Sequence, residues 1–214
     1  MIRFKDRVQA GRMLAQKLEK YKDRQDVIVI GLPRGGVPTA FEVAIYLHAP
    51  LDVIVSRKIA SPAQPEFALG ALTQEGEPFF DERLLRMVGV SKEDLQMVVE
   101  AERKEAQRRL ALYRGNRPPL DLTNKIAILV DDGIATGATM LATILFARAS
   151  NAKKIVVAIP VSPPDSLEKI KKEADEVVCL DTPSVFWGVG GFYDSFFQTT
   201  DQEVIELINK VGAI

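Results

Sequence analysis

The chain has 214 residues, 47% apolar and 27% charged, the balance of a folded globular protein with one sizeable core. Lys and Arg total 28 against 29 Asp and Glu, and the resulting net charge of -1 argues against bulk binding to nucleic acid or an anionic membrane. One Cys (Cys179) and one His (His48) exclude a disulfide framework, a zinc cluster and a multi-His centre within the chain. Any chemistry rests mainly on carboxylates, basic side chains, hydroxyls and backbone amides.

The charged opening residues lack the apolar core of a signal peptide, and the longest apolar runs fall far short of the ~20 residues that span a bilayer. The expectation is a cytoplasmic protein, with which an unpaired Cys179 agrees. Apolar residues recur at helical spacing over residues 5–22. Residues 27–30 (Val-Ile-Val-Ile) then form a wholly apolar run, as a parallel strand buried on both faces requires. A Leu-Pro-Arg-Gly-Gly break follows, then a helix over 37–47, ended near Pro50, and a strand over 52–56. Pro62 and Pro65 mark residues 59–66 as a loop. Residues 67–73 read as a third strand and 74–78 as an exposed turn. A long charged helix is expected over 91–114, capped by Ser91, supported by Glu100–Lys104 and Glu105–Arg109 pairs, and stopped by Gly115.

From there the pattern alternates: strands over 126–130, 155–159 and 177–180, helices over 137–150 and 163–174, and a last helix over 201–211. Such alternation means an α/β fold with a mostly parallel central sheet flanked by helices. The whole of 1–214 reads as one domain, with residues 74–120 as a helical insertion. His48, at a helix end, reads as a dipole partner rather than a catalyst, and Cys179 as core packing.

The informative stretch is Val130-Asp131-Asp132-Gly133-Ile134-Ala135-Thr136-Gly137-Ala138-Thr139. A buried strand delivers two adjacent carboxylates at its carboxyl end, where open α/β sheets bind ligands. The amides of residues 135–139 and two Thr hydroxyls, at the start of a helix, form an anion cradle. Two acids beside that cradle would repel a phosphate unless they engage sugar hydroxyls or a hydrated Mg²⁺. The stretch is neither a Walker A loop nor, at Gly31 to Gly36, a dinucleotide-binding fingerprint.

This stretch resembles the signature of the type I phosphoribosyltransferases, an apolar strand followed by D-D-x-x-x-T-G-x-T. The resemblance implies that Asp131 and Asp132 hold the ribose 2- and 3-hydroxyls of phosphoribosyl pyrophosphate (PRPP), that Ala135, Thr136, Gly137, Ala138 and Thr139 cradle its 5-phosphate, and that Gly133 also belongs to the PRPP-binding stretch. Ile30 to Pro38 resembles the family's pyrophosphate loop, where Gly35 and Gly36 permit close backbone approach and Arg34 adds a charged contact. Arg57 and Lys58 match a place where the family presents a basic residue to the pyrophosphate; they read equally as a solvated strand end. Together with R-K-x-x-x-P-x-x-P-E-F-A-x-G-A, these motifs resemble a bacterial branch whose acceptor is unsettled.

What the resemblance implies is displacement of pyrophosphate from C1 of PRPP by a nitrogenous acceptor such as a nucleobase or related amine, with Mg²⁺ as cofactor, held indirectly by Asp131 and Asp132. Asp131, Asp132 and Lys58 would be the catalytic groups and residues 59–67 a lid over the reaction. The aromatic, Gly-rich segment within 182–200 corresponds to a C-terminal hood. Trp187 or Tyr193 would stack on the acceptor, although the segment could instead cover the sheet or form a dimer contact. The expected partners are PRPP and an acceptor, with a homodimer open and no nucleic acid or membrane. The alternative is a non-catalytic PRPP- or nucleotide-sensing regulator on the same fold.

Overall fold

The computed structural model describes residues 2–61 and 64–211, with side chains for all of these but 64–67. The chain begins with α1 (Arg7–Lys17), β1 (Val27–Gly31), α2 (Gly36–Leu47) and β2 (Leu51–Val53). Next come β3 (Ser56–Ser61), β4 (Gln64–Thr73), β5 (Phe79–Phe80), α3 (Glu82–Val88) and α4 (Gln96–Arg114). It ends with β6 (Ile126–Val130), α5 (Ala138–Ala149), β7 (Lys154–Val161), α6 (Pro164–Glu173), β8 (Glu176–Asp181) and α7 (Asp201–Val211).

Five strands form a parallel sheet in the order β2-β1-β6-β7-β8. Neighbouring residues along each strand enter opposite cores. Val27 and Val29 of β1, with Ile126 and Ile128 of β6, pack against α1 and α2. Ile28 and Ile30, with Ala127 and Leu129, pack against α5 and α6. Burial on both faces explains why these runs are wholly apolar, each large side chain contributing about 1.5–3 kcal/mol. The sheet thus matches the mostly parallel, helix-flanked α/β arrangement expected from the alternation.

The excursion between β2 and β6 departs from the expected elements. The strand expected over 52–56 is split: the chain leaves the parallel sheet after Val53, and Ser56 opens a second, antiparallel sheet of order β3-β4-β5. Of the loop expected at 59–66, residues 59–61 and 64–66 are strand, with two register shifts beside Ala60 that absorb the irregularity. Residues 62 and 63 of that expected loop lie outside the described residues. The expected turn at 74–78 is not wholly exposed: Gln74 is buried, and Arg103 and Gln107 of α4 donate to the Gly76 and Gln74 carbonyls.

The helix expected from Ser91 starts at Gln96. Ser91 caps the preceding 3₁₀ turn instead, its hydroxyl accepting from the Asp94 amide while the Asp94 carboxylate accepts from the Ser91 amide. The expected Glu105–Arg109 pair forms at 2.7 Å. Helices α4 and α7 share a third core with the hairpin, through Leu72, Leu95, Ala106, Tyr113, Val204 and Ile208. His48 sits at the left-handed C-cap of α2 with Nδ1 2.7 Å from Asp23, as a helix-end partner would.

A fourth cluster joins sequence extremes. Phe4 bridges to Tyr193, and Phe4, Ala10, Val161, Phe192 and Tyr193 pack together. Among the described residues, no helix is long and apolar enough to cross a membrane.

One ion pair ties the excursion to the sheet. Arg114 of α4 binds Asp52 of β2 through Nε and Nη2, each at 2.9 Å, with the side chains only 11% and 12% exposed. Removing one partner strands a buried charge, so Arg114→Gln lowers the unfolding free energy by about 3 kcal/mol in urea titrations. Adding Asp52→Asn restores part of that loss. A change below about 1 kcal/mol would mean that the pair behaves as an exposed one.

Candidate active site

The β1–β6 pairing places Gly31 beside Val130, so the turns that follow these strands emerge side by side at the carboxyl end of the sheet. The first turn is pinned by Leu32 N–H donating to the Val130 carbonyl at 3.0 Å and Gly36 N–H donating to Leu32 at 3.0 Å. A Cβ on Gly36 would stand 2.8 Å from the Asp131 Cα, and one on Gly35 would overlap the Asp132 carboxylate. Both glycines are therefore steric necessities, whatever the ligand.

The second turn carries the acids. Asp131 Oδ1 accepts the Asp132 amide at 2.8 Å, and Tyr193 Oη donates to the Asp132 carbonyl at 2.6 Å. Asp132 Oδ2 pairs with Arg7 Nε at 2.7 Å, the two side chains only 13% and 12% exposed. Burial, reinforced by the neighbouring Asp132 charge, pushes the Asp131 carboxyl well above the ordinary carboxylate range. Burial raises Asp132 as well, while Arg7 pulls it back. Gly133 has φ +156°, and a Cβ there would meet Val189 at 2.6 Å. The turn then reaches exposed Ala135 and Thr136, and Ser166 steadies the Ala135 carbonyl at 2.6 Å. Helix α5 starts after Gly137 (φ 83°) with no side chain capping its first amides. Uncapped amides at a helix N-terminus, behind exposed Thr136 and half-buried Thr139, have the polarity to hold an anion.

The expected site residues separate into two cavities. Arg34, Gly35, Asp131 and Asp132 line a cleft of about 340 Å³ together with Arg7 and Phe196. Ala135, Thr136 and Ala138 line a larger cavity of about 640 Å³, which Lys58 shares. Lys58 thus lies on the Thr136 side and not among the residues that line the Arg34 cleft. Arg57 points to α4, where Nε binds Glu102 at 2.6 Å. Arg34 Nη1 lies 3.7 Å from Asp201. Burial, reinforced by a hydrogen bond to the same Asp201, raises the Tyr113 hydroxyl to about 12.

Of the two aromatic residues expected to stack, Trp187 is 94% exposed. Tyr193 is 3% exposed, wedged between Phe4 and Phe196, with its hydroxyl committed to Asp132, so it supports the acid turn and shows no ring face to a ligand. Cys179 packs against the second core, and burial raises its thiol to about 11.

Residues 4–196 match the family model described as the phosphoribosyl transferase domain. The chain belongs to that family. That matched range includes both turns at the carboxyl end of the sheet. Two Mycobacterium tuberculosis proteins, both named "Putative phosphoribosyl transferase", are 45% identical over 207 residues, or 97% of this chain. The chain spans 46% of their length, about half of the curated relatives it matches. The crystal structure of TT1426 from Thermus thermophilus has the same fold, with a TM-score of 0.82 and 38% identity over 98% of this chain and 99% of that one. A uracil phosphoribosyltransferase of Acinetobacter baylyi is 32% identical over 80 residues, 37% of either chain.

Arg7 was not among the residues that motif reading singled out. Its signal in the sequence is faint: a cation at the first position of α1, where the helix dipole disfavours it.

The proton on Asp131 has a measurable consequence for stability. Asp131 binds it more tightly folded than unfolded, so its stabilisation is full below the unfolded value near 3.8 and is lost as pH rises through the higher folded value. Asp131→Asn therefore raises the denaturation midpoint at neutral pH and flattens the stability profile on the acid side. An Asn variant that melts below the wild type at neutral pH would overturn the view of Asp131 as a strained acid.

Proposed function

We propose that this chain transfers the ribosyl 5-phosphate of PRPP to a nitrogenous acceptor, a nucleobase or related amine, with release of pyrophosphate. One observation carries the reading: a turn of two glycines and a pair of adjacent carboxylates line one cavity at the carboxyl ends of β1 and β6, and the uncapped helix N-terminus that follows the acids opens on a second. Those features fit the three parts of PRPP, its pyrophosphate, its ribose hydroxyls and its 5-phosphate.

In this reading Asp132, and Asp131 once deprotonated, accept hydrogen bonds from the ribose hydroxyls and fix the ring. The amides of residues 135–139, with the Thr136 and Thr139 hydroxyls, hold the 5-phosphate. The Gly36 amide is already bound to Leu32, which leaves anion contacts in the first turn to the Arg34 and Gly35 amides and the Arg34 guanidinium. The C1–O bond breaks with its electron pair leaving on pyrophosphate, the acceptor nitrogen supplies the pair for the new C1–N bond, and its proton passes to solvent. The chain's contribution is to bind the anion that leaves and to orient C1, so no histidine is required.

The family uses Mg²⁺ with PRPP, and the donors present suit it. Among the described residues no cluster of three or more His, Cys, Asp or Glu could cage a metal, whereas two adjacent carboxylates fit a hard cation that keeps its waters and shares phosphate oxygens. When bound, the ion would neutralise charge on the pyrophosphate, with Asp131 and Asp132 holding it through water or substrate.

Lys58 shares a cavity with Ala135, Thr136 and Ala138, which supports a role for it toward the 5-phosphate. Exposed Trp187 offers the ring for a planar acceptor. The partial match to a uracil phosphoribosyltransferase supports a nucleobase, and a lone half-buried Cys179 fits a reducing cytoplasm.

The test is pyrophosphate release from PRPP and Mg²⁺ over a panel of bases and amines. Asp132→Asn is expected to lower turnover about a hundredfold or more, with the fold intact by circular dichroism. PRPP binding without release for any acceptor would favour the sensing alternative. Absence of PRPP binding would remove both.

A further inference from the structure

The cleft at the first turn contains a cation that no motif supplies. Arg7 is mostly buried, and three contacts orient it: Nε to Asp132 at 2.7 Å, Nη1 to the Phe197 carbonyl at 2.7 Å, and the Phe196 ring 3.8 Å below the guanidinium carbon. Its Nη2 lies against Gly35, 3.2 Å from where a Cβ of that residue would stand. The guanidinium therefore occupies the narrow space between the glycine turn and the acid pair. A buried cation at the positive end of a helix is costly, and the same ion pair could be made by a residue from a less unfavourable position.

Charge accounting in the cleft points the same way. A pyrophosphate brought against the Arg34 and Gly35 amides needs cations nearby. Arg57 is bound to Glu102 and Lys58 opens on the other cavity, so among the described residues lining this cleft the cations are Arg34 and Arg7. Asp132, for its part, has Oδ2 engaged by Arg7, so a ribose hydroxyl that approaches that oxygen shares or displaces the guanidinium contact.

We propose that Arg7 binds the departing pyrophosphate, exchanging its Asp132 partner for the leaving group when the ribose hydroxyls take over Asp132. This rests on the phosphoribosyltransferase reading. In the free protein the Arg7–Asp132 pair keeps both charges compensated. In the complex each partner meets a substrate group of the right sign: the carboxylate accepts from hydroxyls, and the guanidinium donates to phosphoryl oxygens as the C1–O electron pair moves onto them. Phe196 and the Phe197 carbonyl keep the guanidinium in the cleft throughout the exchange, since neither contact involves Asp132. The residue is thus a leaving-group ligand contributed by α1.

The experiment measures binding of the two halves of the substrate separately, by calorimetry with Mg²⁺ present, and so needs no acceptor. In Arg7→Gln, inorganic pyrophosphate is expected to bind about tenfold or more weaker, and ribose 5-phosphate within about threefold of wild type or tighter. Weaker ribose 5-phosphate binding with pyrophosphate unchanged would overturn the proposal and make Arg7 a positioning residue for Asp132. No change in either ligand would overturn it too. If Arg7→Gln distorts the cleft and weakens both, Arg7→Lys decides: recovery of most of the pyrophosphate affinity supports the assignment, and no recovery overturns it. A wild-type protein that binds neither half brings down the phosphoribosyltransferase reading, and the Arg7 assignment with it.

Discussion

Everything at the carboxyl end of the sheet depends on how closely the turn after β1 can lie on the acids after β6. The register of Gly31 against Val130 brings the two turns together, and the missing Cβ atoms of Gly35 and Gly36 let them touch. That contact removes water from Asp131, which raises its proton affinity, and it draws Arg7 into the gap as the compensating charge. Rigid, doubly buried strands hold the arrangement at small cost in disorder, since a parallel sheet packed on both faces has little freedom to relax the strain away.

Charge in this protein is distributed by pairing rather than by excess. Arg114 and Asp52 form one buried pair and Arg7 and Asp132 another, with nearly the same exposure. Their surroundings separate them. The first joins α4 to β2, and both Asp52 oxygens are met by Arg114. The second faces a cleft beside a second carboxylate and a second guanidinium, so its geometry can be traded for another set of partners. A buried ion pair is thus a fixed joint in one place and an exchangeable contact in the other.

Much of this was legible in the chain itself. The apolar runs at residues 27–30 and 126–130 can be satisfied only by a sheet with helices on both sides, and the Asp-Asp-Gly…Thr-Gly-Ala-Thr spacing marks the end of such a strand. Local patterns also set the limits of helix α7 to the residue. What was not legible depended on long-range packing. Ser56 to Ser61 has no strong periodicity, and it becomes a strand because β4 pairs with it and α4 covers it. Arg57 and Lys58 point apart because adjacent strand residues must, one to Glu102 and one to the cavity by Thr136. Tyr193 reads as a free aromatic until Phe4, far away in sequence, packs over it. Arg7 is invisible as a site residue for the same reason: its meaning comes from Asp132 and Phe197, each more than a hundred residues away.

The bridge between Phe4 and Tyr193 has a bearing on how the molecule comes into being. The cleft is assembled from α1, the turns after β1 and β6, and the residues around Phe196, so no contiguous half of the polypeptide contains it. As the chain emerges from synthesis, the β1 and β6 segments can find one another well before residues 192–199 are available. Until then Arg7 and Asp132 lack the aromatic and carbonyl contacts that seat them. Closure of this distant contact is an entropically expensive event best suited to the end of folding. Completion of the cleft therefore comes last, because Phe196, Gln198 and Thr199 form part of its wall.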